Sequence, residues 1–522
     1  IGTLALTANS SGTNNTAVGY AALDAHTTGD DNTAIGDNAL GANTTASDNT
    51  AVGKSALNAF TGSNATAVGS GALDASVSDL YVTAVGYNAL GACNGGDENT
   101  AVGGAAGDAI TTGNRNTAVG QGSLSAACAD DNTAVGKSAL NTFTGSNATA
   151  VGSGAATAAT SAGSTTSVGY KSLENLTTAS YNTALGYYAL NKAVNQVNTA
   201  VGTSASSNLG DAQHTVAVGF STLQGVSFDL GTCDYNNDPT ITHDADARVV
   251  AGVVVTGTGI PAGSKIASIN SSTSFELSAS TTGGAVTNGT LTFYTNQGDW
   301  NVGIGNYAMS ATTTAEYCVA VGGNSLLATT TGTKNTAVGY AAGMAINSGN
   351  YNVLMGWYAG AAVDTLNGNV AVGYRALVAD TSSANNVAIG YEALATQNTA
   401  SSNNVAVGYK AAGALNGGTD SVYVGYNAGG VGAITGAANV VIGKDAGYDL
   451  TSGADNVLVG KDAGANLTQG SHNIAIGKGA LDAASTVGAG SGSENYNVAI
   501  GSHALGAETT GAEYCVAIGN SA

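Results

Sequence analysis

The side chains suited to acid–base or metal chemistry are few and scattered in this sequence. Its five histidines lie far apart, and only His243, close to Asp244 and Asp246, has neighbours of the type that binds a metal ion. A catalytic centre needs several such groups at fixed spacing, and the sequence contains no motif of a serine hydrolase, a zinc protease or a phosphate-binding loop. We therefore predict a protein that is not an enzyme and that uses no metal and no cofactor.

The carboxylates and cysteines add little to this search. Asp30, Asp31 and Asp97 are typical of the acidic residues, because they fall in turn-like segments where solvation accounts for them. Two carboxylates that cleave a polysaccharide could still be brought together from distant parts of the chain. The sequence therefore leaves a polysaccharide-degrading tailspike open as a less favoured hypothesis. The five cysteines are odd in number and form no C-x-x-C pair, which predicts neither a zinc site nor a disulfide framework.

Aromatic residues make a sharper pattern, because they recur at intervals of 17 or 18 residues in the second half of the chain. Such a column either stabilises stacked strands or offers a surface on which a sugar or a protein could dock. Lysine takes the same position in the next three intervals, at Lys444, Lys461 and Lys478. The candidate surface-contact residues are Tyr340, Trp357, Tyr374, Tyr391, Tyr409 and Tyr426.

A repeat of about seventeen residues positions these side chains. The phrase NTAVG and its variants recur along the chain, and their final glycines lie 16 to 18 residues apart almost everywhere. The fixed place of this glycine indicates a positive φ or a backbone too close to its neighbour for a side chain. Two gaps break the series: 86 residues separate Gly219 from Gly305, and 24 separate Gly477 from Gly501. The first gap predicts an inserted domain and the second a longer loop.

The repeat predicts an all-β fold, a parallel β-solenoid or β-roll of about 17-residue coils. A helical fold is disfavoured because glycine, at 77 of 522 residues, costs a helix about 1 kcal/mol each relative to alanine, and the apolar spacing is not 3.6. We expect two short strands in each coil, with Val18 and Leu23 in the core between two parallel sheets and Ala17 facing outward. An outward apolar alanine indicates lateral packing against another chain.

Asparagine stands four residues before the repeated glycine in most coils. Stacked asparagine amides can hydrogen-bond along a solenoid and satisfy backbone groups of the turns. Cys318 and Cys515 occupy the same position in two coils, and we predict that they are buried substitutes for the asparagine. The structural ladder predicted from this pattern includes Asn15, Asn32, Asn49, Asn132, Asn335, Asn386 and Asn473.

The repeat divides the chain into solenoid repeats at 1–223, an inserted small β-sandwich-like module at 224–298 and further solenoid repeats at 299–522. The insert holds both prolines and alternates like an antiparallel β-sheet protein. Its segment VVAGVVVTGTGIPAGSKIASI resembles small β-modules that recur in phage structural proteins. Such a module could contact a receptor or a glycan, or it could merely decorate the fibre. The strands predicted in the insert are Arg248–Thr256, Lys265–Ile269, Ser274–Ser278 and Gly289–Tyr294.

Charge narrows the choice of partners and location. The 34 acidic and 13 basic residues give a net charge of −21, which repels nucleic acid and anionic lipid surfaces. No apolar run is long enough to span a membrane, so we predict no direct membrane insertion. These observations favour an extracellular protein on a virion or a cell surface.

The repeats resemble the head repeats of YadA-like trimeric autotransporter adhesins, through NVAIGYEA at Asn386–Ala393 and NIAIGKGA at Asn473–Ala480. Phage tail fibres carry similar NTAVGYxAL repeats. The adhesin resemblance implies a homotrimer of left-handed parallel β-rolls.

The leading hypothesis is a structural extracellular fibre shaft that mediates attachment, such as a phage tail fibre. We expect it to self-associate as a homotrimer or a filament and to bind a cell-surface glycan or protein receptor. The alternatives are a bacterial cell-surface adhesin head and a self-assembling extracellular filament.

Overall fold

The computed structural model consists of short β-strands joined by turns. Within the described residues every regular element is a strand, which confirms the all-β parallel solenoid. Among them no helix has the length and apolar character that crossing a membrane requires. The chain divides into two compact units, Ile1–Gln297 and Gly298–Ala522. The described residues are 1–193, 195–208, 212–224, 227–246, 249, 253–261, 264–294, 298–396, 401–430, 432–482, 495–506 and 513–522.

The first unit begins with thirteen strands of three residues, one in each coil. Each strand pairs in parallel with the next without a register shift, as Ala17 with Ala34 and Val18 with Ile35. Neighbouring strands lie about 4.8 Å apart, so the thirteen strands extend over roughly 58 Å. The strands are β1 (Thr16–Val18), β2 (Thr33–Ile35), β3 (Thr50–Val52), β4 (Thr66–Val68), β5 (Thr83–Val85), β6 (Thr100–Val102), β7 (Thr117–Val119), β8 (Thr133–Val135), β9 (Thr149–Val151), β10 (Thr166–Val168), β11 (Thr183–Leu185), β12 (Thr199–Val201) and β13 (Val216–Val218).

The inward residue of each of these strands is the small central one, contrary to the prediction. Ala17 is 9% exposed and Ala34 is fully buried, whereas Val18 is 36% exposed. Alternation places neighbouring residues on opposite faces but does not say which face is inside. Because the interior between strand and turn is narrow, alanine lies inside and the β-branched residues lie outside. The core position predicted for Val18 is therefore wrong, whereas Leu23 is fully buried as expected.

The wall opposite each strand is a turn and not the second strand that the sequence predicted. In the first coils Ala21 and Leu23 both have positive φ, at 50° and 51°. The coils are nevertheless linked on this side, because the Leu23 N–H donates to the Ala39 carbonyl of the next coil at 3.0 Å and the Ala21 N–H donates to Thr3 of the preceding one at 3.0 Å. Positive φ is costly for β-branched residues, which explains why leucine occupies this apolar position and valine does not.

The repeated glycine occupies a position that no other residue fits. Gly19 has φ of 138°, and a Cβ atom there would overlap the carbonyl oxygen of Gly36 in the next coil. Gly36 stands in the same relation to Gly53. Both expected reasons for this glycine, a positive φ and a close backbone approach, therefore apply.

The inserted segment of the first unit forms a six-stranded sheet with the strand order β16-β19-β14-β15-β18-β17. All its pairings are antiparallel. Bulges interrupt the pairing of β14 with β19. Phe275, Phe293, Leu291 and Cys233 are fully buried at the centre of its core. The strands are β14 (Ser227–Asn236), β15 (Thr240–Thr242), β16 (Val254–Gly257), β17 (Ile266–Ser271), β18 (Ser274–Leu277) and β19 (Ala285–Tyr294).

Two of these strands, β14 and β15, were not predicted from the sequence. Of the predicted Arg248–Thr256 strand, residues 248 and 250–252 lie outside the described residues, and β16 begins at Val254. The predicted module boundaries fall beside residues 225–226 and 295–297, which also lie outside the described residues.

In the described part of the second unit there are thirteen further three-residue strands, paired in parallel and in register with their neighbours. They are β20 (Val302–Ile304), β21 (Val319–Val321), β22 (Thr336–Val338), β23 (Val353–Met355), β24 (Val370–Val372), β25 (Val387–Ile389), β26 (Val405–Val407), β27 (Val422–Val424), β28 (Val440–Ile442), β29 (Val457–Val459), β30 (Ile474–Ile476), β31 (Val498–Ile500) and β32 (Val516–Ile518).

Side-chain volumes compensate across the core of this unit. Leu354 is the inward residue of β23, and the facing turn positions are Gly343 and Gly360 instead of leucine. A Cβ atom at Gly360 would lie 2.6 Å from Leu354 Cδ2, so a larger turn residue does not fit beside this leucine. At these two facing positions, the centre of the strand and the turn residue opposite it, the coil therefore accommodates one large side chain but not two.

Candidate interaction surfaces

The asparagine ladder is a series of hydrogen bonds between successive coils, interrupted where another residue such as Ala65 or Val82 takes the position. Asn32 Nδ2 donates to Asn15 Oδ1 at 3.1 Å and to the Ala46 carbonyl at 2.9 Å, and the Asn32 backbone N–H donates to the same Asn15 oxygen at 2.9 Å. Asn49 repeats this arrangement one coil further on. In the second unit Asn352 bonds to Asn335, and the backbone of Asn386 and of Asn473 donates to the asparagine one coil earlier. Asn132 likewise accepts a bond from Ala148 and donates to Gly145.

Cys318 occupies the ladder position with the hydrogen-bond pattern of an asparagine. Its backbone N–H donates to Asn301 Oδ1 at 3.0 Å, and its Sγ lies 3.3 Å from the Gly332 carbonyl. Burial raises the pKa of the Cys318 thiol to about 11, so the group carries the proton that it donates. Cys515 makes the corresponding backbone bond to Asn497 but is only partly buried.

The six candidate aromatic residues lie on the surface in two stacks. Tyr340 and Trp357 have ring centroids 4.7 Å apart. The other stack runs from Tyr374 to Tyr426 with centroid separations of 5.0, 5.1 and 4.9 Å and interplanar angles of 15° or less. Rings that stack on each other cover each other's faces, so this surface presents ring edges and hydroxyls rather than the open faces that a sugar ring stacks on.

Charged residues continue and flank this aromatic column. Lys444 Nζ lies 5.6 Å from the ring centroid of Tyr426 and 3.2 Å from Asp445. Lys461 pairs with Asp462 at 2.8 Å. The lysines of both pairs are exposed, so solvent screens the pairs and they contribute little to stability. Their effect is to end the aromatic column in a charged surface.

The outward face of the strands is a surface that the sequence reasoning missed. The sequence analysis placed Val18 in the core, so it did not predict that the third residue of each strand forms a column of partly exposed aliphatic side chains. Ile304, Met355, Ile389 and Ile476 are 39 to 42% exposed. Neither outward position of any described three-residue strand carries a charge, in a chain whose net charge is −21.

The two units differ at the first outward position. It is threonine in β1–β12 of the first unit, whereas it is valine or isoleucine in every strand of the second unit except β22, which begins at Thr336. The second unit therefore presents two adjacent aliphatic columns, and the first presents one threonine and one aliphatic column. An uncharged apolar strip of this length is typical of a surface that packs against another chain.

One concave patch of the second unit gathers carboxylates. Asp445, Asp462 and Asp482 line it together with Tyr426 and Asn466. Burial, followed by the charge of Asp462, raises the pKa of the Asp482 carboxyl, while Asp462 pairs with a lysine. Two carboxyl groups in different environments are the pattern on which the tailspike hypothesis depends.

His243, which Asp244 and Asp246 follow in the sequence, lies directly after β15 in the inserted segment. It is 7% exposed, and its ring contacts Phe275 at a centroid distance of 5.3 Å. In the described part of the chain, no group of three or more His, Cys, Asp and Glu side chains is placed to hold a metal ion.

Comparison of the chain with protein-family models, with curated proteins and with solved structures finds no match.

Proposed function

We propose that the chain is a structural shaft of an extracellular fibre that mediates attachment, such as a phage tail fibre or a similar appendage. The observation that carries the proposal is the stack of in-register coils with an uncharged apolar outward face. Coils that each contact only their neighbours suit a protein whose length and rigidity matter more than a catalytic pocket. The proposal places the protein on a virion or cell surface.

The partner proposed for the outward face is a second and a third copy of the same chain. The two aliphatic columns of the second unit, interrupted only at Thr336 in the described strands, would leave water on association, and the absence of charge lets identical faces meet without repulsion. A closed three-fold assembly would cover the face and is the one that the adhesin resemblance implies, so we propose a homotrimer. An open-ended filament would instead favour the self-assembling filament.

The test is the mass of the particle in solution, measured by light scattering after gel filtration. The variant Ile389→Lys with Val407→Lys places two charges in the outward face of β25 and β26. The matched control is Asn385→Lys with Asn403→Lys, at exposed positions of the same coils where lysine is accommodated, because Lys334 occupies the equivalent position with φ of 57°.

We expect trimers for the unchanged chain and the control, and monomers for the face variant with an unchanged circular dichroism spectrum. A monomeric unchanged chain, or a face variant of unaltered mass, would overturn the proposed association. Release of sugars from a polysaccharide, lost on Asp482→Asn, would replace the structural function by that of a polysaccharide-degrading tailspike.

A further inference from the structure

The inserted sheet contains a cavity of about 420 Å³ that lies apart from the strand faces of the coils. It is located between the segment after β15 and the end of β17, on the side where β17 turns into β18. This volume is within the range of about 300–1,000 Å³ that is usual for small-molecule sites. The residues that matter for its chemistry are His243, Asp246, Val249, Ile269, Ser271 and Ser272.

His243 gives the cavity an imidazole ring that can accept a hydrogen bond. Its Nδ1 lies 2.5 Å from the carbonyl oxygen of Asp244, and since a carbonyl can only accept, Nδ1 carries the proton. In the tautomer that carries a proton on Nδ1 alone, Nε2 is an acceptor, and among the described residues the ring shows a hydrogen bond through Nδ1 only. A side chain that is 7% exposed and retains an unused acceptor is poised to receive a donor from a ligand.

The other walls supply complementary groups. Asp246 adds a carboxylate, and the hydroxyls of Ser271 and Ser272 can each donate and accept. The Ser271 hydroxyl is held by the Thr273 backbone N–H at 3.2 Å. Val249 and Ile269 add an apolar wall, and Ile269 is 43% exposed. A ligand with several hydroxyl donors and an apolar C–H face would match this set.

We propose that the cavity binds one neutral monosaccharide unit, a hexose or an N-acetylhexosamine, carried by a surface glycan. The hydroxyls of the sugar would donate to His243 Nε2 and Asp246, while its C–H face would contact Ile269. A divalent cation fits less well, because among the lining residues that the structure describes only His243 and Asp246 are strong metal ligands. The inference deepens the proposed attachment function, on which it rests, by naming the ligand class and its site.

The test uses the full chain and saturation-transfer NMR with free glucose, galactose, mannose, N-acetylglucosamine and N-acetylgalactosamine, each with and without EDTA. The variant His243→Phe keeps an aromatic ring beside Phe275 but removes the acceptor. Ser272→Ala changes only an exposed side chain of the turn, so it tests the cavity without risk to the core. His503→Ala, in a coil of the second unit, is the control.

We expect a signal from at least one sugar, reduced roughly tenfold in His243→Phe and several-fold in Ser272→Ala, and unchanged in His503→Ala. No signal from any sugar, or a signal that both cavity variants leave intact, would overturn the inference. A signal that EDTA abolishes would show that a bound cation holds the sugar and would also overturn it. The oligomer mass of the same samples tests the proposed fibre separately, because the cavity variants leave the outward strand faces unchanged.

Discussion

Each ladder asparagine connects three segments of the coil stack. Asn352, fully buried, donates to Asn335 and to the Leu366 carbonyl, and its own oxygen accepts the backbone N–H of Asn369. Two neighbouring coils and the turn that closes one of them are therefore held by a single side chain. Removing the Asn352 side chain should therefore destabilise only the coils that it connects, and by more than the loss of one surface hydrogen bond.

We expect Asn352→Ala to destabilise its coils by about 1–3 kcal/mol for each buried group left without a partner. Because long repeat arrays do not unfold as one two-state transition, hydrogen exchange measured by mass spectrometry is the suitable readout. Faster exchange should be confined to the coils between residues 335 and 386. Asn385→Ala, at an exposed position nearby, is the control, and equal exchange in the two variants would contradict the role of the ladder.

At the scale of the residue, the sequence predicted a position correctly where a single physical reason requires the same residue type in every coil. The glycine after each strand has such a reason, since both its φ and its distance from the next coil exclude a side chain. Val18 has no such marker, because alternation fixes only that Val18 and Ala17 face opposite sides. The aromatic residues could be placed on a common column, but the mutual stacking that covers their faces depends on side-chain geometry.

At the scale of the element, the coil interior is limited by volume. Most coils combine an inward alanine with a leucine in the turn, such as Ala371 with Leu377, whereas Leu354 faces glycine. The two arrangements fill the same narrow space from opposite sides. They should therefore be interchangeable when both positions change together.

We expect Leu354→Ala alone to cost about 2–5 kcal/mol through the cavity that it leaves. Gly360→Leu alone should also destabilise, because its side chain would overlap Leu354. The double variant restores the common arrangement and should recover most of the loss, since leucine adopts the same positive φ at Leu377. Local opening free energies of the coils around β23, measured by hydrogen exchange in all three variants, provide the test, and losses that simply add would contradict shared packing.

The coil was only partly predictable as an element. The length of the coil and the position of its strand follow from the NTAVG phrase. The side of the coil that faces this strand was predicted to be a second strand because Ala22 and Leu23 are apolar. Its left-handed residues carry no sequence signal of the usual kind, since leucine rarely adopts positive φ. In the insert β14 escaped prediction because its alternation shifts by one residue between Leu230 and Cys233, where the pairing with β19 is irregular, and β15 because it has only three residues.

At the scale of the whole molecule, coils should be removable as units. Deleting residues 20–36, one full coil of 17 residues, joins Gly19 to Asp37 and keeps every later strand in register with an equivalent neighbour. Since each coil contacts mainly its neighbours, we expect the shortened chain to fold with an unchanged circular dichroism spectrum per residue.

Deleting eight residues, 29–36, is the matched comparison, because it removes half a coil and breaks the register. We expect this variant to aggregate or to lose its cooperative thermal transition. If both deletions behaved alike, the coil would not be the unit of folding.

The stacking of coils has a mechanical consequence. A coil of 17 residues has an extended contour length of roughly 56 Å, yet it adds only about 4.8 Å to the stack. Under tension, a coil that peels from the end of a unit would therefore release about ten times the length that it occupied. Detachment of single coils would absorb work in repeated small steps, which would protect an anchored chain against abrupt rupture.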